Sequence, residues 1–399
     1  MKSKWLLPLG GLIAIVALLA MLAQKGRTPP RSLSEENTVS SFISKLPAAS
    51  RLVSAKHMEE YAGAKQCGTC HPSIFEQQSA SNHALTMRPM ALQSLPKDFP
   101  YPATFKEQSS IGPYTFRYHV EDGTFYCTAS NPYQERRYAV EYSMGSGSHG
   151  MTFVSFFDAE GPGGLLEFRH SFFPPQGRFG MTPGHELQFK PSIVPGNPFG
   201  TKKSLACLLC HSTAVEYEAG QPSVEESFMG VTCEACHGPG QAHIDAVRAG
   251  KSRGDLAIRH PGRWPARKIN NLCGQCHRSE ETSRILDPHF DPESPAATRF
   301  AASGLMQSAC YLRSGESLSC LTCHSPHSNA QTEEIFYEQK CLGCHTAAKG
   351  ETICPVNPKA ACIGCHMPRV KSGDFPLSFT DHWIRILREP QKPNVWSHP

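Results

Sequence analysis

Residues 320–345 read CLTCHSPHSNAQTEEIFYEQKCLGCH. Two copies of one pentapeptide, CxxCH, stand 21 residues apart there, at 320–324 and 341–345. So polar and cysteine-dense a stretch is too poor in apolar side chains to build an ordinary core. Outward from it the same pentapeptide recurs as CGTCH at 67–71, CLLCH at 207–211, CEACH at 233–237, CGQCH at 273–277 and CIGCH at 362–366. The seven copies use fourteen of the chain's 17 cysteines, and six of them share the 160 residues from Cys207 to His366.

Cysteines three apart lie on one face of a helical turn. Both can then reach the two vinyl groups of one porphyrin, and the histidine that follows reaches its iron. Zinc also uses CxxC pairs but does not require His in the fifth place, whereas His fills that place in all seven copies. Iron–sulfur clusters take four cysteines with no systematic His, and a disulfide framework would not repeat one spacing. The motif is therefore read as c-type haem attachment. Seven c-type haems are expected, linked at Cys67 and Cys70, Cys207 and Cys210, Cys233 and Cys236, Cys273 and Cys276, Cys320 and Cys323, Cys341 and Cys344, and Cys362 and Cys365. His71, His211, His237, His277, His324, His345 and His366 are the expected proximal iron ligands.

Twelve of the 19 histidines remain for the opposite faces of the irons. His327 follows His324 by three residues on the same side of a turn, so it cannot bracket the same iron and is expected on a neighbouring haem. His243, six residues beyond His237, and His83, 12 beyond His71, are placed in the same way. His185 in TPGHE, His382 in FTDHW, His149 in GSGSHG and His170 in a strand complete the candidate distal set. The pairing of these with particular haems stays open, as does whether one haem keeps a free position. Of the three spare cysteines, Cys310 and Cys354 are expected to form a disulfide and Cys127 to remain a free strand thiol.

The rest of the 399 residues set the frame. Thirty-two Gly and 33 Pro disfavour long regular elements. The net charge of +4 carries no basic block, which argues against a nucleic-acid partner. Residues 1–25 read as a signal anchor: Lys2 and Lys4 precede 19 uncharged residues, Trp5–Ala23. At about 1.5 Å per residue these suffice for one bilayer crossing. A cleaved signal peptide, leaving a soluble periplasmic protein, is the alternative. Haem attachment takes place outside the cytoplasm, so the remainder is expected on the periplasmic side of the inner membrane. Residues 26–60 read as a tether and 61–111 as a first haem-binding segment. Residues 112–200 read as a β-rich segment with five short strands, YTFRYHV, TFYCT, RYAVEYS, MTFVSFF and LLEFRHSFF. Residues 201–399 read as a six-haem domain of short helices and loops.

In this order CGTCHPSIFEQQSASNHA, GSGSHG, TPGH, CEACHGPGQAH, CGQCHR, SACYLRSGESLSCLTCHSPH and CIGCHMPR…FTDHW resemble multihaem c-type cytochromes with a cytochrome c-554-like domain. These lie within the superfamily of hydroxylamine oxidoreductase and pentahaem nitrite reductase. The resemblance spans roughly residues 60 to 390. It implies a haem-cored multihaem cytochrome fold, mainly short α-helices and loops with a small β-rich insert between the first two motifs. It also implies distal ligation by His243 and His327. The chain departs from the enzymes in lacking a CxxCK attachment and an eighth motif. The expected function is single-electron transfer along mainly bis-His haems, with redox proteins of the periplasm or membrane as partners. The alternative is an oxidoreductase acting on small nitrogen or sulfur compounds at one five-coordinate haem.

Overall fold

The computed structural model describes residues 41–386 apart from 47, 92–94, 96–98, 110–111, 159–162, 186–192, 316, 346–353, 358–360 and 372–376. The expected anchor at 5–23, the tether as far as residue 40, and His398 lie outside the described residues. No helix among the described residues is long and apolar enough to cross a membrane.

In chain order the strands are β1 (Leu52–Val53), β2 (Met87–Pro89), β3 (Ala103–Ser109), β4 (Gly112–Glu121), β5 (Thr124–Ser130) and β6 (Glu135–Ala139). They continue with β7 (Tyr142–Met144), β8 (Thr152–Phe156), β9 (Leu165–Phe168), β10 (His170–Phe173), β11 (Arg178–Met181) and β12 (Gly196–Phe199). Alternation along β4 turns Tyr114, Phe116 and Tyr118 inward. Asp122 and Gly123 both take positive φ, the backbone a two-residue hairpin turn needs, and so carry β4 into β5. β3 to β6 form a four-stranded antiparallel meander; β12, β9, β8, β7 and β2 form a five-stranded sheet in that order, and β10 pairs with β11. One aromatic core, with Tyr118, Phe125, Phe153, Phe168 and Phe172 each buried, draws on both sheets and the hairpin.

All five expected strands are present, with two corrections. RYAVEYS breaks at Val140–Glu141 into β6 and β7, and LLEFRHSFF breaks at Arg169 into β9 and β10. Each half joins a different sheet pairing, which a continuous strand could not do. Strands also begin earlier than residue 112: β2 and β3 fall inside the segment 61–111.

Outside the β region the described chain is mainly short helices, with small strands at Val215–Glu218, Gln221–Ser223, Arg369–Lys371 and Ser378–Thr380, and each motif begins on one of seven helices. They span Ala64–Cys70, Thr201–His211, Cys233–His237, Ala266–His277, Cys320–Cys323, Glu334–Leu342 and Cys362–His366. The backbone N–H of the motif histidine donates to the carbonyl of the first cysteine, as from His71 to Cys67 at 2.9 Å and His324 to Cys320 at 3.0 Å. That helical closure puts the two cysteines of a motif on one face.

Candidate haem sites

A first-row metal holds an imidazole nitrogen at about 2.0–2.1 Å, so two imidazoles on opposite sides of one iron have ring centroids roughly 6 Å apart. Among the described residues, three pairs of histidines meet this spacing. His83 and His277 lie 5.9 Å apart with ring planes at 77°. His237 and His327 lie 6.2 Å apart at 14°, and His324 and His382 6.2 Å apart at 39°. Each pair joins one motif histidine to one candidate distal histidine.

The second ring nitrogen is occupied in a recurring way. A carbonyl oxygen can only accept, so an Nδ1 beside one must carry the proton, which leaves Nε2 with a free lone pair. His211 Nδ1 donates to Thr86 O at 2.9 Å, His237 to Arg259 O at 2.8 Å, His243 to Leu256 O at 2.8 Å, His366 to Arg385 O at 3.1 Å and His382 to Thr380 O at 2.9 Å. Outer-shell anchoring of this kind orients a metal-bound imidazole. Burial also lowers the pKa of His211, His324, His327 and His382, and takes His277 to about 4 with further contributions from His83, His382 and His324. Such rings are neutral near pH 7, the form that binds metal. These residues fit covalent haem.

The motifs are also brought together edge to edge. The Cys67 thiol of the first motif lies beside Cys233 of the third, Cys210 of the second beside Cys276 of the fourth, and Cys273 of the fourth beside Cys320 of the fifth. Cys236 senses the charges of Cys273 and Cys276, and Cys341 those of Cys323 and Cys362. The motifs therefore adjoin in the order first, third, fourth, fifth, sixth, seventh, with the second set against the fourth.

Buried polar side chains, unmarked in the sequence reading, hold this arrangement. Glu234, inside CEACH, accepts N–H bonds from Ala62 at 2.8 Å, Gly63 at 2.9 Å and Gly240 at 2.7 Å, docking the start of the first motif's helix on the third motif. Asn270 accepts from Cys320 N at 2.9 Å, joining the fourth motif to the fifth. Glu338 accepts from Cys362 N at 2.8 Å, joining the sixth to the seventh. Gly230, at φ +75°, lets its backbone pass directly against the Ala84 carbonyl; a Cβ there would push away the turn that carries His83.

The remaining distal candidates stand differently. His170 stacks on Phe105 at 3.9 Å, its Nδ1 lies 3.4 Å from Tyr118 Oη and its Nε2 3.7 Å from Glu107, so both nitrogens face polar groups of the β-sheets. His185 is wholly buried with Nε2 3.1 Å from Glu167 Oε2, and Glu167 in turn acts on Cys207 and His211. His149 lies parallel to Phe379 at 6.1 Å. His71 and His345 are exposed. The expected Cys310–Cys354 disulfide is absent: both are free, Cys310 neighbouring Cys344 and Cys354 neighbouring Cys362, so each attends a different motif. Cys127 is a free, fully buried strand thiol, as expected.

Residues 192–238, which hold the second and third motifs, match the family described as cytochrome c554 and c-prime. Among solved structures, the crystal structure of outer cell wall cytochrome OcwA is similar at a TM-score of 0.48 and 15% identity, covering 82% of this chain and 80% of that one. No curated protein matches. The family match and the seven CxxCH motifs together support a multihaem c-type cytochrome with covalently attached haem.

Proposed function

We propose that the chain is an electron carrier with one haem on each of its seven motifs. The observation that carries this is the meeting of cysteines from different motifs. Thioether sulfurs mark porphyrin edges, and edges in contact allow fast electron exchange. His277 with His83, His237 with His327, and His324 with His382 would hold the irons of the haems on the fourth, third and fifth motifs. Haem supplies a one-electron couple; the chain supplies fixed neutral imidazoles and a short gap between successive sites. His243, His149 and His185 are the candidates left for the other four motifs, His170 being held in the β-sheets by Phe105, Tyr118 and Glu107. Export, with residues 5–23 as an anchor or a cleaved signal, and redox partners on the periplasmic side complete the reading.

Intact mass of the matured protein tests the haem count, about 4.3 kDa above the polypeptide for seven haems. Electron paramagnetic resonance of the ferric protein tests the ligation. Nearly perpendicular imidazole planes leave two iron d orbitals nearly degenerate, so the 77° pair should give a low-spin signal of large maximum g. The 14° pair should give an ordinary rhombic one. Loss of only the first signal in His83→Ala is the expected result; a gain of three haems or fewer would sink the reading.

A second reading is favoured by one specific feature, the Glu167–His185 couple beside the second motif. If a haem there keeps an open position, these two residues are placed to hold and move a proton for a small oxidised or reduced substrate. A stoichiometric high-spin signal that shifts on adding nitrite or hydroxylamine, with turnover, would rank this reading first.

A further inference from the structure

Arg51 is 6% exposed, far from the surface where arginines belong. Its guanidinium donates to Ser212 O at 2.6 Å and to Leu209 O, so it caps the helix of the second motif. The same Nη2 lies 3.7 Å from Cys276 Sγ of the fourth motif, and the Arg51 charge also acts on Cys210 and Cys236. Among the described residues no carboxylate pairs with it, and its Nε is buried without a partner. A lone cation thus stands where the second, third and fourth motifs converge.

We infer that Arg51 sets the redox potentials at this junction, making the haems of the second and fourth motifs easier to reduce than they would otherwise be. The inference rests on the electron-carrier reading. Reduction adds one electron to a haem and lowers its charge by one, with no proton taken or released by an arginine that stays charged at every working pH. Next to a buried positive charge in a medium of low dielectric, the reduced form is favoured. Nothing in the first or seventh motif touches Arg51, so the effect is local to the junction.

The experiment is an anaerobic optical redox titration of the matured protein, comparing wild type, Arg51→Gln and Arg51→Lys at low and high salt, with haem-to-protein ratios measured for each. Arg51→Gln should move part of the titration curve to lower potential and leave the rest in place. Arg51→Lys should stay close to wild type, and salt should not erase the difference because the site is buried. A curve for Arg51→Gln that superimposes on wild type or moves to higher potential overturns the inference. So does an equal displacement in the glutamine and lysine variants, which marks a structural effect. Wild-type protein with far less than one haem per motif overturns the underlying reading and the inference with it.

Discussion

Fourteen buried residues between Phe99 and Phe179 form one continuous apolar cluster, while from Leu312 to residue 386 the only buried side chains among the described residues are polar: Ser319, Glu338 and Asp381. The two regions follow different rules. The β region alternates aromatic and polar residues, buries the aromatic set between sheets and closes its hairpins with turn chemistry. The motif region joins short helices through single buried acceptors such as Asn270 and Glu338, and leaves its cysteines and histidines facing one another. In one region the polypeptide supplies its own core; in the other it supplies attachment points.

The sharpest way to break this contrast is to make the protein without haem. Residues 312–386 should then lose protection in hydrogen-exchange mass spectrometry, whereas strands β4, β5 and β8 stay protected; equal protection throughout would erase the distinction. Within the β region, Phe153→Ala removes a fully buried ring and should cost about 3–5 kcal/mol in denaturant unfolding, with visible bands of the haems unchanged.

Acid should act on the β region next. Burial, then Arg169 and His185, lower the pKa of His170 to about 3. The unfolded chain takes up a proton near pH 6.5 while the folded one refuses it, so stability present above pH 6.5 falls as the pH drops from 6.5 toward 3, by a few kcal/mol at most. Thermal melts of wild type against His170→Gln between pH 7 and 4 check this, the variant showing the flatter profile. The smallest effect belongs to the motif region: Glu234→Ala strands three N–H groups and should cost about 1–3 kcal/mol, read as earlier thermal loosening of the first motif's haem.

The motifs were legible because covalent attachment is a local event that five residues encode. The aromatic strands were legible for the same reason, as a period of two written in bulky residues. β3 was missed because its ATFKEQS alternates half-buried with exposed residues at a sheet edge and shows little apolar contrast. The axial pairs were only half legible. His327 could be assigned to a neighbouring haem by exclusion, but His83 meets His277 across almost 200 residues, and no local spacing encodes that. Glu234, Asn270, Glu338 and Arg51 carry no motif or periodicity in the sequence; only burial in the folded chain reveals them as joints.

The joints differ greatly in reach, and that difference is also one of time. Glu338 closes on Cys362 only 24 residues later, but the Glu234 carboxylate that receives Ala62 lies 172 residues further along the chain. A polypeptide made N-terminus first at about 5–20 residues per second leaves the opening motif without its clasp for on the order of ten to thirty seconds, whereas the seventh emerges after the Glu338 that receives it. The first pair of cysteines is therefore the one that waits longest for its acceptor, whereas the fifth, like the seventh, emerges after its own, Asn270, is already made.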